Sequence, residues 1–223
     1  MRRFLRENGL TLVVLALFLV FMAGQTLMGA EQFNEERREH GDPAIGLRDY
    51  LRSGHFWEAT AENWESEFLQ MAAYVLLTIG LYQRGSSESK DPGKKDPVER
   101  DPRTLTAAER RAAPLPVRRG GWRLRLYEHS LSLAFLLLFL ASFMLHAVGG
   151  ASAHNAEQLQ HGGETLSVFE FVGSSQFWFE SFQNWQSEFL SLVAMVFLSI
   201  WLRQRGSPES KPVHAPHRHT GSH

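Results

Sequence analysis

The sequence predicts an all-α integral membrane protein with four transmembrane helices, arranged as two tandem parallel-repeat helical hairpins. Three observations carry this prediction. The segment from Leu5 to Lys90 recurs from Leu126 to Lys211 at a constant offset of 121 residues without a gap, and 35 of the 87 aligned pairs from Phe4/Arg125 to Lys90/Lys211 are identical. Each copy holds two apolar stretches. The charged residues are gathered between those stretches, so a 223-residue chain with 43% hydrophobic residues has the average composition of a soluble protein but the patterning of a membrane one.

In chain order, the first span is secure because no Asp, Glu, Lys or Arg occurs from Asn8 through Ala30. A run of that length exceeds the roughly 20 residues that cross a bilayer. A Met-Arg-Arg start before an apolar run also fits a cleavable signal peptide, but the pattern recurs internally from Leu131 to Gly150, and cleavage would strip the first hairpin of one helix. The segment is therefore expected to be a retained span.

The second span is shorter, with 16 uncharged residues from Phe68 to Gln83. Its missing length is expected at the outer end, through Glu67 into Trp64 and the aromatic residues before it. The linker from Gly85 to Gly121 carries Asp91-Pro92, Asp96-Pro97 and Asp101-Pro102 among charges of both signs and almost no large apolar residue. It has nothing with which to form a core and is expected to be a disordered cytoplasmic tether over 91–121. The basic cluster Arg118, Arg119, Arg123 and Arg125 ends it, as topology-setting charge or as a contact for anionic lipid.

The third span is uncharged from His129 through Ala156, and the fourth has 14 uncharged residues from Phe189 to Leu202, with Glu188 and Trp185 extending it outward. The boundaries are thus 1–90 for the first hairpin repeat, 91–121 for the linker, 122–211 for the second repeat and 212–223 for a disordered tail. Four histidines between His214 and His223 give that tail a weak capacity for metal.

Lys and Arg number three up to Asn8, twelve from Arg84 to Arg125 and four from Arg203 onward, against four from Glu31 to Asn63 and none from Gly150 to Asn184. The positive-inside rule places both termini and the linker in the cytoplasm. An even number of spans per copy inserts both copies the same way up, related by a pseudo-twofold axis along the membrane normal.

No cysteine is present, which excludes disulfides, thiolate metal sites and cysteine nucleophiles. Phosphate-binding glycine loops, zincin helices and nucleophile elbows are absent too.

Polar residues kept in both copies are the remaining candidates. Asn63-Trp64-Glu65-Ser66-Glu67 is matched by Asn184-Trp185-Gln186-Ser187-Glu188. Asn63 and Glu67, like Asn184 and Glu188, are four apart on one helical face, where the amide can donate to the carboxylate. Glu67 and Glu188 either converge on a cation or proton or fix the register of neighbouring helices. Antiparallel counting from a turn near 40–54 puts Glu67 level with Gln25 and Glu188 level with His146, and those two partners are themselves repeat-equivalent. A second set, Glu36 with His40 and Glu157 with His161, has a spacing used by metal ligands. The competing role is to end a helix before Gly41 and Gly162. Gln83-Arg84-Gly85-Ser86 and Gln204-Arg205-Gly206-Ser207, each followed by Glu-Ser-Lys, fit helix capping and basic anchoring, which leaves the Glu-Ser-Lys without a role.

These blocks, with Gly54-His55-Phe56-Trp57 and Gly206-Ser207-Pro208-Glu209-Ser210-Lys211-Pro212, resemble a bacterial membrane-protein family, domain of unknown function 6766. The resemblance spans nearly all of the chain outside the linker interior and the tail. It implies a bacterial inner-membrane protein and supplies no activity, substrate or site residue.

The functional expectation is a non-enzymatic structural or interaction bundle organised around duplicated outer-leaflet carboxylates. The alternatives are a cation- or proton-binding transporter using Glu67 and Glu188, and a membrane redox or lipid-modifying enzyme. No cofactor is required, although a divalent metal is compatible. The expected partners are the lipid bilayer and either another protein or a second copy of the chain, with no nucleic acid.

Overall fold

The computed structural model describes residues 2–221, and His223 of the tail lies outside that range. The described residues are helical, with no strand. Four long helices dominate: α1 (Arg2–Glu39), α3 (Gly54–Gly80), α7 (Ser130–His161) and α9 (Ser175–Leu198). Between them lie short helices, α2 (Leu47–Tyr50), α4 (Ala107–Ala112), α5 (Leu115–Arg119), α6 (Gly121–Glu128) and α8 (Val168–Val172). Of the long four, α1 and α7 are long and apolar enough to cross a membrane. The N-terminal halves of α3 and α9 carry Asn, Gln and Glu, which interrupts their apolar runs.

The segments returning from α1 and α7 are built alike. Each helix stops where a glycine takes up positive φ, 80° at Gly41 and 70° at Gly162, a conformation that side chains with a Cβ rarely adopt. One residue from the preceding helix then holds the departing chain. The Asn34 amide donates to the Ile45 carbonyl at 3.0 Å and accepts from the Ile45 N–H at 2.8 Å, and Asn155 does the same to Leu166 at 2.8 and 2.7 Å. These clamps satisfy backbone groups that would otherwise be orphaned.

Next, an aromatic residue folds back onto a glycine of the long helix. Tyr50 lies on Gly29 and Phe171 on Gly150, and both rings are essentially fully buried. Finally Ser53 and Ser174 accept from the N–H groups of Phe56 and Phe177, each at 3.2 Å, capping the descending helices α3 and α9. Burial, reinforced by Glu36, pushes the Tyr50 hydroxyl above its ordinary pKa, while burial pushes the neighbouring His55 imidazole down against the opposing pull of Glu36.

The chain divides into two compact units, and each unit draws on both sequence repeats. The first unit comprises Met1–Glu62 and Phe143–Trp178. Its apolar core is Ala147, Ala151, Phe171 and Phe177, with Phe143, Val168 and Val172 packed against it. Here α3 crosses α7 at backbone contact distance: a Cβ on Gly54 would stand 2.5 Å from the Ala153 nitrogen, and one on Gly149 would stand 2.7 Å from the Glu58 nitrogen. Small residues are what permit such an approach.

The second unit comprises Asn63–Ser142 and Phe179–His223. The retained Glu-Ser-Lys blocks finish its helices. Ser89 accepts from the Gln83 N–H and Ser210 from the Gln204 N–H, each at 2.9 Å. Lys90 donates to the Ile79 carbonyl at 2.9 Å, and its counterpart Lys211 donates to the equivalent Ile200 carbonyl at 3.2 Å. Lys90 thus places its ammonium on a carbonyl of the last turn of α3, where the helix dipole is negative, and Lys211 does so in the turn that follows α9.

The Lys211 ammonium is buried, and it also donates to the carbonyls of Gly85, His217 and His219. The tail continues this packing, with the Gly85 N–H donating to Thr220 Oγ1 and the Gly221 N–H to the Ser86 carbonyl, both at 2.9 Å.

The linker has local turns and no apolar core. Each Asp-Pro aspartate accepts an N–H two residues on, from Gly93, Val98 and Arg103. Arg100 grips Glu109 with two bonds of 2.8 and 3.0 Å. Together with the Thr106 cap, that grip holds the Glu109 carboxyl down at about 2.

Candidate functional site

The candidate residues are spread over α1, α3, α7 and α9. On α3, Thr60, Ala61, Glu65, Ser66, Gln70 and Ala72 are buried, whereas Glu67 is exposed. This pattern keeps small and polar residues on the packed side and lets neighbouring helices approach closely.

In the first unit, the Gln25 amide donates to Thr60 Oγ1 at 3.2 Å. Counting had levelled Gln25 with Glu67, seven residues further along α3. The difference is about 10 Å of helix rise. It arises because the return segment doubles back along α1, with Ile45 held by Asn34 and Tyr50 seated on Gly29, and does not spend its length at the tip.

His146, the repeat-equivalent of Gln25, is completely buried, and its ring stacks on Phe177 with centroids 4.6 Å apart and planes 25° from parallel. A ring nitrogen of His146 lies within 4.8 Å of a Glu62 carboxylate oxygen.

In the second unit, the buried carboxylate is Glu65, which accepts from Trp185 Nε1 at 2.9 Å. Gln70 donates to the Glu188 carbonyl at 2.8 Å and to Ser191 Oγ at 2.9 Å. Gln70 and Ser191 are repeat-equivalent, and a contact between equivalent residues is what a twofold relation requires. Glu67 and Glu188 are near enough for their charges to repel, with Glu188 half-buried. The Asn184 amide donates back to the Glu180 carbonyl at 3.3 Å, away from Glu188. Ser66 donates to the Asn63 carbonyl at 2.8 Å, while Trp64 is half-buried.

The Glu-His pairs stand at the ends of α1 and α7. His40 and His161 meet edge to face with ring centroids 5.5 Å apart, and His40 Nδ1 is 2.8 Å from the Glu36 carbonyl oxygen. Both histidines, Glu36 and Glu157 are exposed, and among the described residues these four do not form a three-ligand group.

Sequence reasoning did not single out Glu62 and Glu65, whose repeat-equivalents are Gln183 and Gln186. The available signal was position: Glu62 directly follows Thr60 and Ala61, small residues on the packed face of α3.

Helix content and two helices apolar enough to span a membrane define the class as an all-α protein with membrane-compatible helices. The chain belongs to the family described as Domain of unknown function (DUF6766), whose model matches residues 1–222. No curated protein and no solved structure matches the chain.

Proposed function

We propose that the protein is a four-span bacterial inner-membrane bundle, with both termini and the linker cytoplasmic, that acts as a structural or interaction element and not as an enzyme. One observation carries this reading: four pairs of polar residues kept in both copies make the same backbone contact in each copy. Asn34 and Asn155 clamp the return segments, Ser53 and Ser174 cap α3 and α9, and Ser89, Ser210, Lys90 and Lys211 close the far ends. Duplication has preserved a frame.

The apolar flank of α1 supports a lipid surrounding, since Leu10 and Phe21 are 81% and 69% exposed. Placing that surface in hydrocarbon removes the cost of wetting it.

The rival reading is cation or proton transport through Glu67 and Glu188, supported by the proximity of their charges. Flux in proteoliposomes separates the two. A structural bundle gives proton and monovalent-cation leak equal to empty vesicles. Flux above that level, lost in a Glu67→Gln/Glu188→Gln double variant, would replace this proposal with transport.

A further inference from the structure

We propose that the groove between α3 and α9 in the second unit holds one acyl chain of a phospholipid whose primary-ammonium headgroup rests on Glu88. The groove has a volume of about 380 Å³ and lies wholly within that unit. Leu77 of α3 and Leu81 just after it line the groove, with Leu192, Val193, Val196 and Phe197 of α9. Leu77, Leu81, Val193 and Phe197 are also exposed, so the walls open outward. Such walls offer a polar solute almost no donor or acceptor, and a hydrocarbon chain is the occupant they stabilise. The proposal rests on the four-span reading, which sets these helix ends in the cytoplasmic leaflet, where lipid is the surrounding solvent.

Charge complementarity selects the headgroup. The segment after α3 folds back so that Glu88, which also lines the groove, accepts from the Tyr74 hydroxyl at 2.8 Å and from Ser87 Oγ at 3.1 Å. Two bonds leave about half of the acceptor sites of a carboxylate unused. Glu88 is half-buried and forms no ion pair among the described residues. A carboxylate at the edge of hydrocarbon is costly until a cation with hydrogen-bond donors reaches it.

A primary ammonium supplies both the charge and the N–H donors. A choline headgroup brings the charge without a donor, and an anionic glycerol headgroup brings a phosphate charge with nothing to offset it beside Glu88. Lys90 suits the phosphate of the same lipid. Its ammonium lies 5.7 Å from the centre of the ring of Tyr82, another lining residue, and its bonds to Ile79 and Glu99 leave one N–H free.

The other repeat does not reproduce these features. Tyr74 and Tyr82 become Met195 and Arg203, so Glu209, the equivalent of Glu88, has no tyrosine hydroxyl at the matching place. The Arg203 guanidinium is instead spent on the carbonyls of Ser199, Ile200 and Ala215. One lipid per chain follows.

Native mass spectrometry of delipidated full-length protein in detergent tests this. The chain would be offered phosphatidylethanolamine, phosphatidylglycerol and phosphatidylcholine with identical acyl chains. The expected result is one phosphatidylethanolamine per chain, preferred by roughly tenfold or more, which is the worth of one hydrogen bond to a charged group. Val193→Trp, which fills the groove from an exposed position, should lose all three lipids. Glu88→Gln should keep a lipid but bind phosphatidylethanolamine no better than phosphatidylcholine.

Equal retention of the three lipids, retention of none, a lipid-free dimer, or binding unchanged in Val193→Trp overturns the proposal. So does a headgroup preference that survives in Glu88→Gln. If Glu88→Gln does not fold, the unmodified chain decides through successive N-methylation of the phosphatidylethanolamine headgroup. Affinity should drop when the last N–H is replaced, and a flat series overturns the assignment to Glu88. Cysteine labelling of the two return segments tests the four-span reading separately, so loss of lipid selectivity with that labelling intact removes the groove alone.

Discussion

Trp185 donates its indole N–H to the fully buried carboxylate of Glu65 at 2.9 Å, tying α9 of the second repeat to α3 of the first. The repeat-equivalents of these residues are Trp64 and Gln186, and Gln186 is exposed. The buried carboxylate is therefore present in one copy, and its bond to Trp185 distinguishes two arrangements that the duplication would otherwise leave equivalent. Removing one partner of a buried charged hydrogen bond costs about 1.5–3 kcal/mol. Trp185→Phe and Glu65→Ala should each destabilise by about that much. A double-mutant cycle read by denaturation in detergent should give a coupling of about 1–3 kcal/mol, and a coupling of zero would mean that the bond contributes nothing.

The asparagine clamps should fail locally. Asn34→Ala strands the N–H and carbonyl of Ile45, and Asn155→Ala strands those of Leu166. Each is expected to cost about 1–3 kcal/mol and to raise protease sensitivity between Gly41 and Ser53 or between Gly162 and Ser174 respectively. Cleavage elsewhere in the chain, with these segments unaffected, would show that the clamps do not hold them.

The two aromatic plugs predict different genetics for the same substitution. Alanine at Gly29 would drive its Cβ into the Tyr50 hydroxyl, while alanine at Gly150 would lie 2.5 Å from a ring carbon of Phe171. Both should destabilise by about 1–3 kcal/mol through overpacking. Tyr50→Phe removes the clashing atom and should recover much of the loss in Gly29→Ala. Phe171 has no hydroxyl to remove, and its plug needs a smaller residue instead. Thermal unfolding of the single and paired variants reads this directly.

His55 makes the segment leading into α3 acid-sensitive. Its folded pKa is below the ordinary value of 6.5, so the folded state disfavours the proton more than the unfolded chain does. Stability is then level above about pH 6.5, falls as pH drops through the window between 6.5 and the lower folded pKa, and levels again below it. The slope cannot exceed about 1.4 kcal/mol per pH unit for one group. His55→Gln, which installs the residue of the equivalent position 176, should flatten the stability profile between pH 7.5 and 5.5. An unchanged profile would assign the sensitivity to another group.

How much of this was legible in the sequence depended on the kind of signal. Charge-free runs from Asn8 and from His129 marked α1 and α7, and Gly41 and Gly162 marked their ends, because local composition decides both features. The level of Gln25 against α3 was not legible. It turns on how far the return segment folds back, which the Asn34 clamp and the Tyr50 plug decide through tertiary contacts. The Glu-Ser-Lys blocks could be seen to recur, but their role appears only when Lys90 and Lys211 are found on the carbonyls of Ile79 and Ile200, eleven residues back in each case. Glu65 escaped because its repeat-equivalent is a glutamine, and nothing local marks it as the carboxylate that is buried against Trp185.

The central claim is that two equivalent hairpins enter the membrane the same way up, which makes four spans. The native chain contains no cysteine, so single cysteines can be placed at Ala44, Thr165 and Val98 and probed with a membrane-impermeant thiol reagent. Ala44 and Thr165 are repeat-equivalent and exposed in the two return segments, and Val98 is 79% exposed in the linker. The account predicts that Ala44→Cys and Thr165→Cys are labelled from the outer face of intact cells and Val98→Cys only after lysis. Labelling of Val98→Cys from outside, with Thr165→Cys protected, would mean that α1 and α7 alone cross the bilayer, and would contradict it.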